Sequence, residues 1–202
     1  LKSGTYEIQN ESLKIIALDP KIDHLDHVIN FLGDPMLKRN AERTLLSYPQ
    51  LISQKKLIDK LASEDTSKTV VIGILKILHH FNKEIAIKTI ISKMNDPDLA
   101  ILGECSDALI KIYKSRQITD EEIRKIESLI QELSKRSYHL HYFSNEIAND
   151  YDGILINDHI KNDLKFLSRI IIKLGTLENS DVPLETYIRY VESRDPNMVP
   201  LV

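Results

Sequence analysis

His24 and His27 lie three residues apart, a spacing that puts two imidazoles on one helix face, as a metal site needs. No third ligand is visible in Asp23-His24-Leu25-Asp26-His27, and zinc wants three or four, so a solvated face is the reading. His139 and His141 point in different directions on a helix, and adjacent His79-His80 is poor geometry for shared coordination. Asp150-Tyr151-Asp152-Gly153 has part of a calcium loop. With Gly153 at its sixth position, Ala148 and His159 would fall where the first and twelfth ligands belong, so a turn explains it better. Cys105, beside Leu102 and Ala108, has no neighbour in sequence to lower its pKa and reads as a buried structural thiol. The 6 glycines form no phosphate-cradling pattern, and no pair of carboxylates stands out for acid–base work. We expect no catalytic, cofactor-binding or metal-binding residues, and no enzyme.

The elements that position these residues are helices. Apolar residues recur at spacings of three and four almost everywhere, with no convincing alternation of period two, so the fold class is all-α. The 202 residues are 42% hydrophobic and 28% charged, ordinary for a folded domain and too apolar for wholesale disorder. Lys+Arg is 27 against Asp+Glu 30, no footprint for a nucleic-acid binder as a whole. The densest basic grouping is Lys38, Arg39 and Arg43 with Lys55 and Lys56, but Glu42 interrupts it, and a phosphate track needs uninterrupted cations. We expect no nucleic acid as partner.

The helices repeat. Asp34-Pro35 and Asp96-Pro97 lie 62 residues apart with Asp65 midway, and Asp195-Pro196 follows another apolar stretch near the C-terminus. Each Asp is expected to cap the next helix, with Pro in the first turn where its missing N–H costs nothing. Counted from Asp, positions +5, +9, +12 and +13 are Arg39, Arg43, Leu46 and Ser47 in the first repeat. They become Val70, Ile74, Ile77 and Leu78, then Ile101, Cys105, Ala108 and Leu109. That is the signature of stacking, in which interior helices bury two flanks and an end helix leaves one wet. The stripe at +4, +8, +11 and +15 is more polar. It supplies the candidate partner-binding surface: Lys38, Glu42, Thr69, Lys76, His80, Glu104, Asp107 and Lys111.

Beyond Lys114 the spacing lengthens. Thr119-Asp120-Glu121-Glu122 forms a capping box, and a helix over most of 120–148 would run roughly 43 Å. The turn cluster Asn149–Gly153 leads into a matching stripe from Ile156 to Leu174, closed by Gly175 as the residue after the helix. The two should form a long antiparallel hairpin packed onto the third repeat. We read one helical repeat domain over 1–202. It comprises an N-terminal helix within 1–20, repeats over 21–115, the hairpin over 119–175 and the start of another repeat over 181–202. The chain starts without Met and stops amid apolar residues, so we expect a fragment of a longer chain. A single cysteine suits a reducing compartment, and no stretch reaches the length of a bilayer span.

The Asp-Pro turn between apolar helices, with a small residue at Ala41 and Gly103, is similar to HEAT repeats. The order Ile90–Tyr113, a long helix from Asp120, Asp158–Gly175, then Tyr187–Pro196 resembles one arrangement in particular. It is that of the HEAT segment appended to bacterial membrane proteins of the ATP/ADP-translocase-like branch of the major facilitator superfamily. Where HEAT repeats often carry Arg or Val after Asp-Pro, this chain has Met36-Leu37-Lys38-Arg39 and Asp98-Leu99-Ala100-Ile101. The resemblance implies an α-solenoid and a non-catalytic interaction or regulatory module. It would be cytoplasmic, bind a protein or a neighbouring domain of the same chain, and meet the membrane only through a tether outside this segment. The alternatives are a free cytosolic scaffold and a HEAT-type nucleic-acid-binding enzyme.

Overall fold

In the computed structural model, residues 5–147 and 151–177 are described; the last repeat read from the sequence, 181–202 with Asp195-Pro196, lies outside them. Among the described residues the chain is all-helical and has no strand. It divides into two compact units, at Lys93 and Met94.

The first unit begins with α1 (Tyr6–Leu18) and α2 (Leu25–Asn30), the latter prolonged by a 3-10 turn over Phe31–Gly33. Then come α3 (Lys38–Ser47), α4 (Gln50–Ala62), α5 (Lys68–Ile77) with a 3-10 turn at Leu78–His80, and α6 (Lys83–Lys93). Its core is aliphatic, with Leu13, Leu25, Ile29, Leu37, Leu45, Leu57, Ile74 and Leu75 fully buried. Polar positions of α3 that face inward are satisfied by α1. Asn40 donates to the Asn10 side chain, and the Thr44 hydroxyl lies 3.0 Å from the carbonyl of Leu13. Tyr48 ends α3 by donating 3.0 Å to the carbonyl of Lys21, and burial raises its phenol's pKa.

The repeat survives as a spacing of helix starts, since α3, α5 and α7 begin at Lys38, Lys68 and Leu99. The three aspartates do not share one job. The Asp34 carboxylate accepts from the N–H groups of Met36 (2.8 Å) and Leu37 (3.1 Å), closing a turn ahead of α3. The N-cap of α3 is Leu37, so Asp34 and Pro35 stand before the helix rather than opening it. At the third turn the cap is Asp98, accepting from Ala100 and Ile101, while the Asp96 carboxylate accepts from the Asp98 N–H ahead of the helix. Pro97 therefore precedes the cap instead of opening the helix. Asp65 caps nothing, because α5 starts after Ser67 and the second turn has no proline to fix its entry.

Burial follows the flank pattern. Arg39, Arg43, Leu46 and Ser47 are exposed, whereas Val70, Ile74, Ile77 and Leu78 are buried, as are Ile101, Cys105, Ala108 and Leu109. Burying α5 this deeply demands a gap in its surface. A Cβ on Gly73 would stand 2.6 Å from the carbonyl oxygen of Leu32 and 2.7 Å from its Cβ.

The second unit contains α7 (Leu99–Tyr113), α8 (Asp120–Glu146) and α9 (Tyr151–Gly175). The capping box is formed as expected: Thr119 accepts from the Glu122 N–H, and the Glu122 carboxylate takes the Thr119 N–H at 3.0 Å. α8 and α9 pack as an antiparallel hairpin, with Ser144 and Asn157 side chains 2.5 Å apart near the connection. Tyr151–Gly153, expected in the turn, are the first residues of α9, while Ala148–Asp150 lie outside the described residues. Gly175 is the last helical residue rather than the one after it, and Thr176 N–H still bonds the carbonyl of Ile172. α9 packs on α7, where Gly103 leaves room for the Phe166 ring.

These two close approaches differ in what can yield. Gly73→Ala drives a Cβ into backbone, and it should cost about 1–3 kcal/mol despite alanine's better helix propensity. Gly103→Ala meets only the far end of a Phe166 side chain that is 37% exposed. It should be near neutral. Urea unfolding of both variants beside the parent chain checks this order.

Candidate interaction surface

The eight residues of the polar stripe fall on both units: Lys38, Glu42, Thr69, Lys76 and His80 in the first, Glu104, Asp107 and Lys111 in the second. Lys38, Thr69, His80 and Lys111 are exposed, and Glu42, Lys76, Glu104 and Asp107 are half-buried. Their surroundings are less uniform than the repeat suggests. On α5 the stripe continues through Gly73, which lies under Leu32, and the Thr69 hydroxyl lies against Gly33. The middle of that stripe is therefore packed rather than open. His80 ends the same stripe in the 3-10 turn, its ring 3.9 Å from that of His79.

In the second unit α9 occupies part of the stripe. Lys173 reaches the Asp107 carboxylate at 2.6 Å, one turn beyond the Gly103–Phe166 contact. Glu104 and Lys111 remain along α7, but Asp107 serves the hairpin. Helical spacing fixed which face Asp107 shares, yet could not say that α9 would close over it. The signal in the sequence was Gly103 four residues ahead, a small residue marking close approach.

The hairpin base is a charged corner. Arg116 pairs with Glu122, whose carboxylate also serves the capping box, and the guanidinium carbon sits 5.7 Å from the centre of the Tyr113 ring. Burial pushes the Tyr113 phenol up to about 12, helped by the negative charge of Glu122 and opposed by Arg116.

A depression absent from the sequence reading opens between α4 and α6, with a volume of about 210 Å³. Leu51, Lys55, Ile58, Asp59 and Ile85 line it around Gln54, room for one apolar side chain. Gln54 is buried; its amide N–H₂ donates 3.0 Å to the carbonyl of Asn82, and its Oε1 has no hydrogen-bond partner. The basic grouping is weaker in space than in sequence, since Lys56 bonds Asp26 at 3.1 Å. The Cys105 side chain is fully buried. Among the described residues no three His, Cys, Asp or Glu side chains gather to hold a metal, and no helix is long and apolar enough to cross a membrane.

Comparison with protein-family models, curated proteins and solved structures found no match to this chain.

The Tyr113 corner has a pH signature. A phenol whose folded pKa lies above its ordinary 10.0 favours the fold below that value, and the contribution is lost as pH rises toward about 12. Tyr113→Phe should lose less thermal stability than the parent between pH 10 and 12, with no difference at pH 8. Paired melting curves across that range decide it.

Proposed function

We propose that the chain is a non-catalytic protein-interaction module, a HEAT-like α-solenoid carrying a long helical hairpin. Its work is to present the polar stripe, carried by α3 and α5 in the first unit and by α7 in the second, to a protein or a neighbouring domain of the same chain. The observation that carries this reading is the recurrence of helix starts at Lys38, Lys68 and Leu99 together with the burial gradient across those helices. The first is wet on one flank and the later two are closed on both, as stacked repeats require.

We further propose that this module is the cytoplasmic part of a transporter-like membrane protein, tethered through segments outside these residues. The support is the sequence resemblance described above, with its long hairpin set among the repeats. A free cytosolic scaffold would use the same surface without the tether.

Carbonate-washed membranes from the native cells, probed with an antibody to this chain, separate the two. Signal held in the pellet, on a band well above 23.2 kDa, is the expected result. Soluble signal at any size removes the tethered reading. For the surface itself, Lys38→Glu, Lys76→Glu and Lys111→Glu should each weaken partner binding by several-fold without changing the helical circular dichroism. Binding that ignores all three substitutions and is lost with Leu51→Asp would move the interface to the α4–α6 depression.

A further inference from the structure

The recess between α4 and α6 has apolar walls and a polar floor. The walls are Leu51, Ile58 and Ile85, the first 76% exposed and the last 41%. The floor is Gln54, a side chain at 2% exposure. Its N–H₂ group donates 3.0 Å to the carbonyl of Asn82, which also receives the Ala86 N–H at the start of α6. That bond decides which end of the amide is oxygen, since carbonyl oxygens do not face each other. Oε1 is therefore turned away from Asn82, has no hydrogen-bond partner and is out of reach of water.

The other buried polar residues of the described chain are satisfied. Thr44, Ser53 and Ser106 each spend the hydroxyl on a helix carbonyl. A buried acceptor left unpaired is a cost that folding does not recover, and a donor from outside removes it.

Volume and charge narrow what that donor belongs to. About 210 Å³ falls below the roughly 300 Å³ at which small-molecule sites begin, and suits one large side chain. On the rim Lys55 and Asp59 stand one helical turn apart with opposite signs, so the opening has no net charge to draw an ion. Lysine or arginine would bring several donors to a single acceptor, and a charge to bury among aliphatic walls. Tyrosine would bring its donor together with lone pairs that ask for a donor in return. Tryptophan brings a large apolar ring and one N–H, with no acceptor. We infer that the recess between α4 and α6 seats a tryptophan side chain of a partner protein, its indole N–H donating to Gln54 Oε1. The 202 residues contain no tryptophan, so the anchor comes from outside them. Leu51, the least covered wall, is the side chain that swings aside to admit it. The inference rests on reading the chain as a protein-binding module, but on helices that carry none of the polar stripe.

N-acetyl-tryptophanamide titrated into the isotope-labelled 202-residue chain, followed by heteronuclear NMR, reads the site without any partner. Millimolar binding is expected, with shifts at the Gln54 side-chain amide and the backbone of Leu51, Ile58 and Ile85. The N-methylindole analogue, which has no indole N–H, should bind the parent several-fold more weakly. Gln54→Met keeps the side chain's length without its acceptor, and should bind both probes alike. Leu51→Asp should weaken both several-fold with circular dichroism unchanged. The proposal is overturned by absence of saturable binding, by shifts that miss these residues, or by a parent that binds the two indoles equally. Equal affinity for N-acetyl-leucinamide or N-acetyl-tyrosinamide overturns it as well. Should Gln54→Met fail to fold, the parent's preference between the two indoles still decides. Failure at the recess leaves binding through the stripe intact, because the probe does not use it.

Discussion

A carbonyl oxygen of Leu32 lies 2.6 Å from the point where a side chain on Gly73 would begin, and that approach governs the first unit. α5 is buried on both flanks, so its neighbours must come close enough to leave no void between them. Only a position without a side chain lets backbone pass at that distance. The same constraint recurs on α7, where Gly103 admits the Phe166 ring and so allows α9 to lie along the helix. Once α9 is there, Lys173 can reach Asp107, and the hairpin is fixed at its base by apolar contact and charge together.

The corner formed by Tyr113, Arg116, Thr119 and Glu122 does for the hairpin what the glycine does for the packing. One carboxylate caps α8, pairs with the guanidinium that lies over the tyrosine, and adds to the rise in the phenol's pKa that burial causes. Three constraints on a single side chain set the direction in which α8 leaves α7. The far half of the hairpin is held by the contact between its own two helices, with Ser144 against Asn157, and exposes what α7 is too short to cover.

The residues proposed for binding illustrate how far a repeat pattern reaches. Position +11 from Asp is Lys76 on α5 and Asp107 on α7, equivalent in spacing and different in setting. Asp107 belongs to the hairpin contact because an element with no counterpart in the earlier repeats arrives beside it. Likewise Gly73 shares the stripe of Thr69 and Lys76 but faces Leu32. A period predicts what repeated neighbours do, and it is silent about a neighbour that occurs once.

Helix content, the flanks that bury and the long hairpin were legible in the order of residues. Each follows from local physics: apolar spacing, a capping box at Thr119 and Glu122, and arginines where a flank is wet. The depression around Gln54, the exact cap of α7 and the closing of Asp107 were not legible. The first needs residues of α4 and α6 to face each other across a gap. The second turns on whether Asp96 or Asp98 has the extended backbone a cap requires, and both are acidic residues beside the same proline. The third depends on a contact spanning 66 residues. Spacing along a chain reports which side chains share a face, and only packing decides what that face meets.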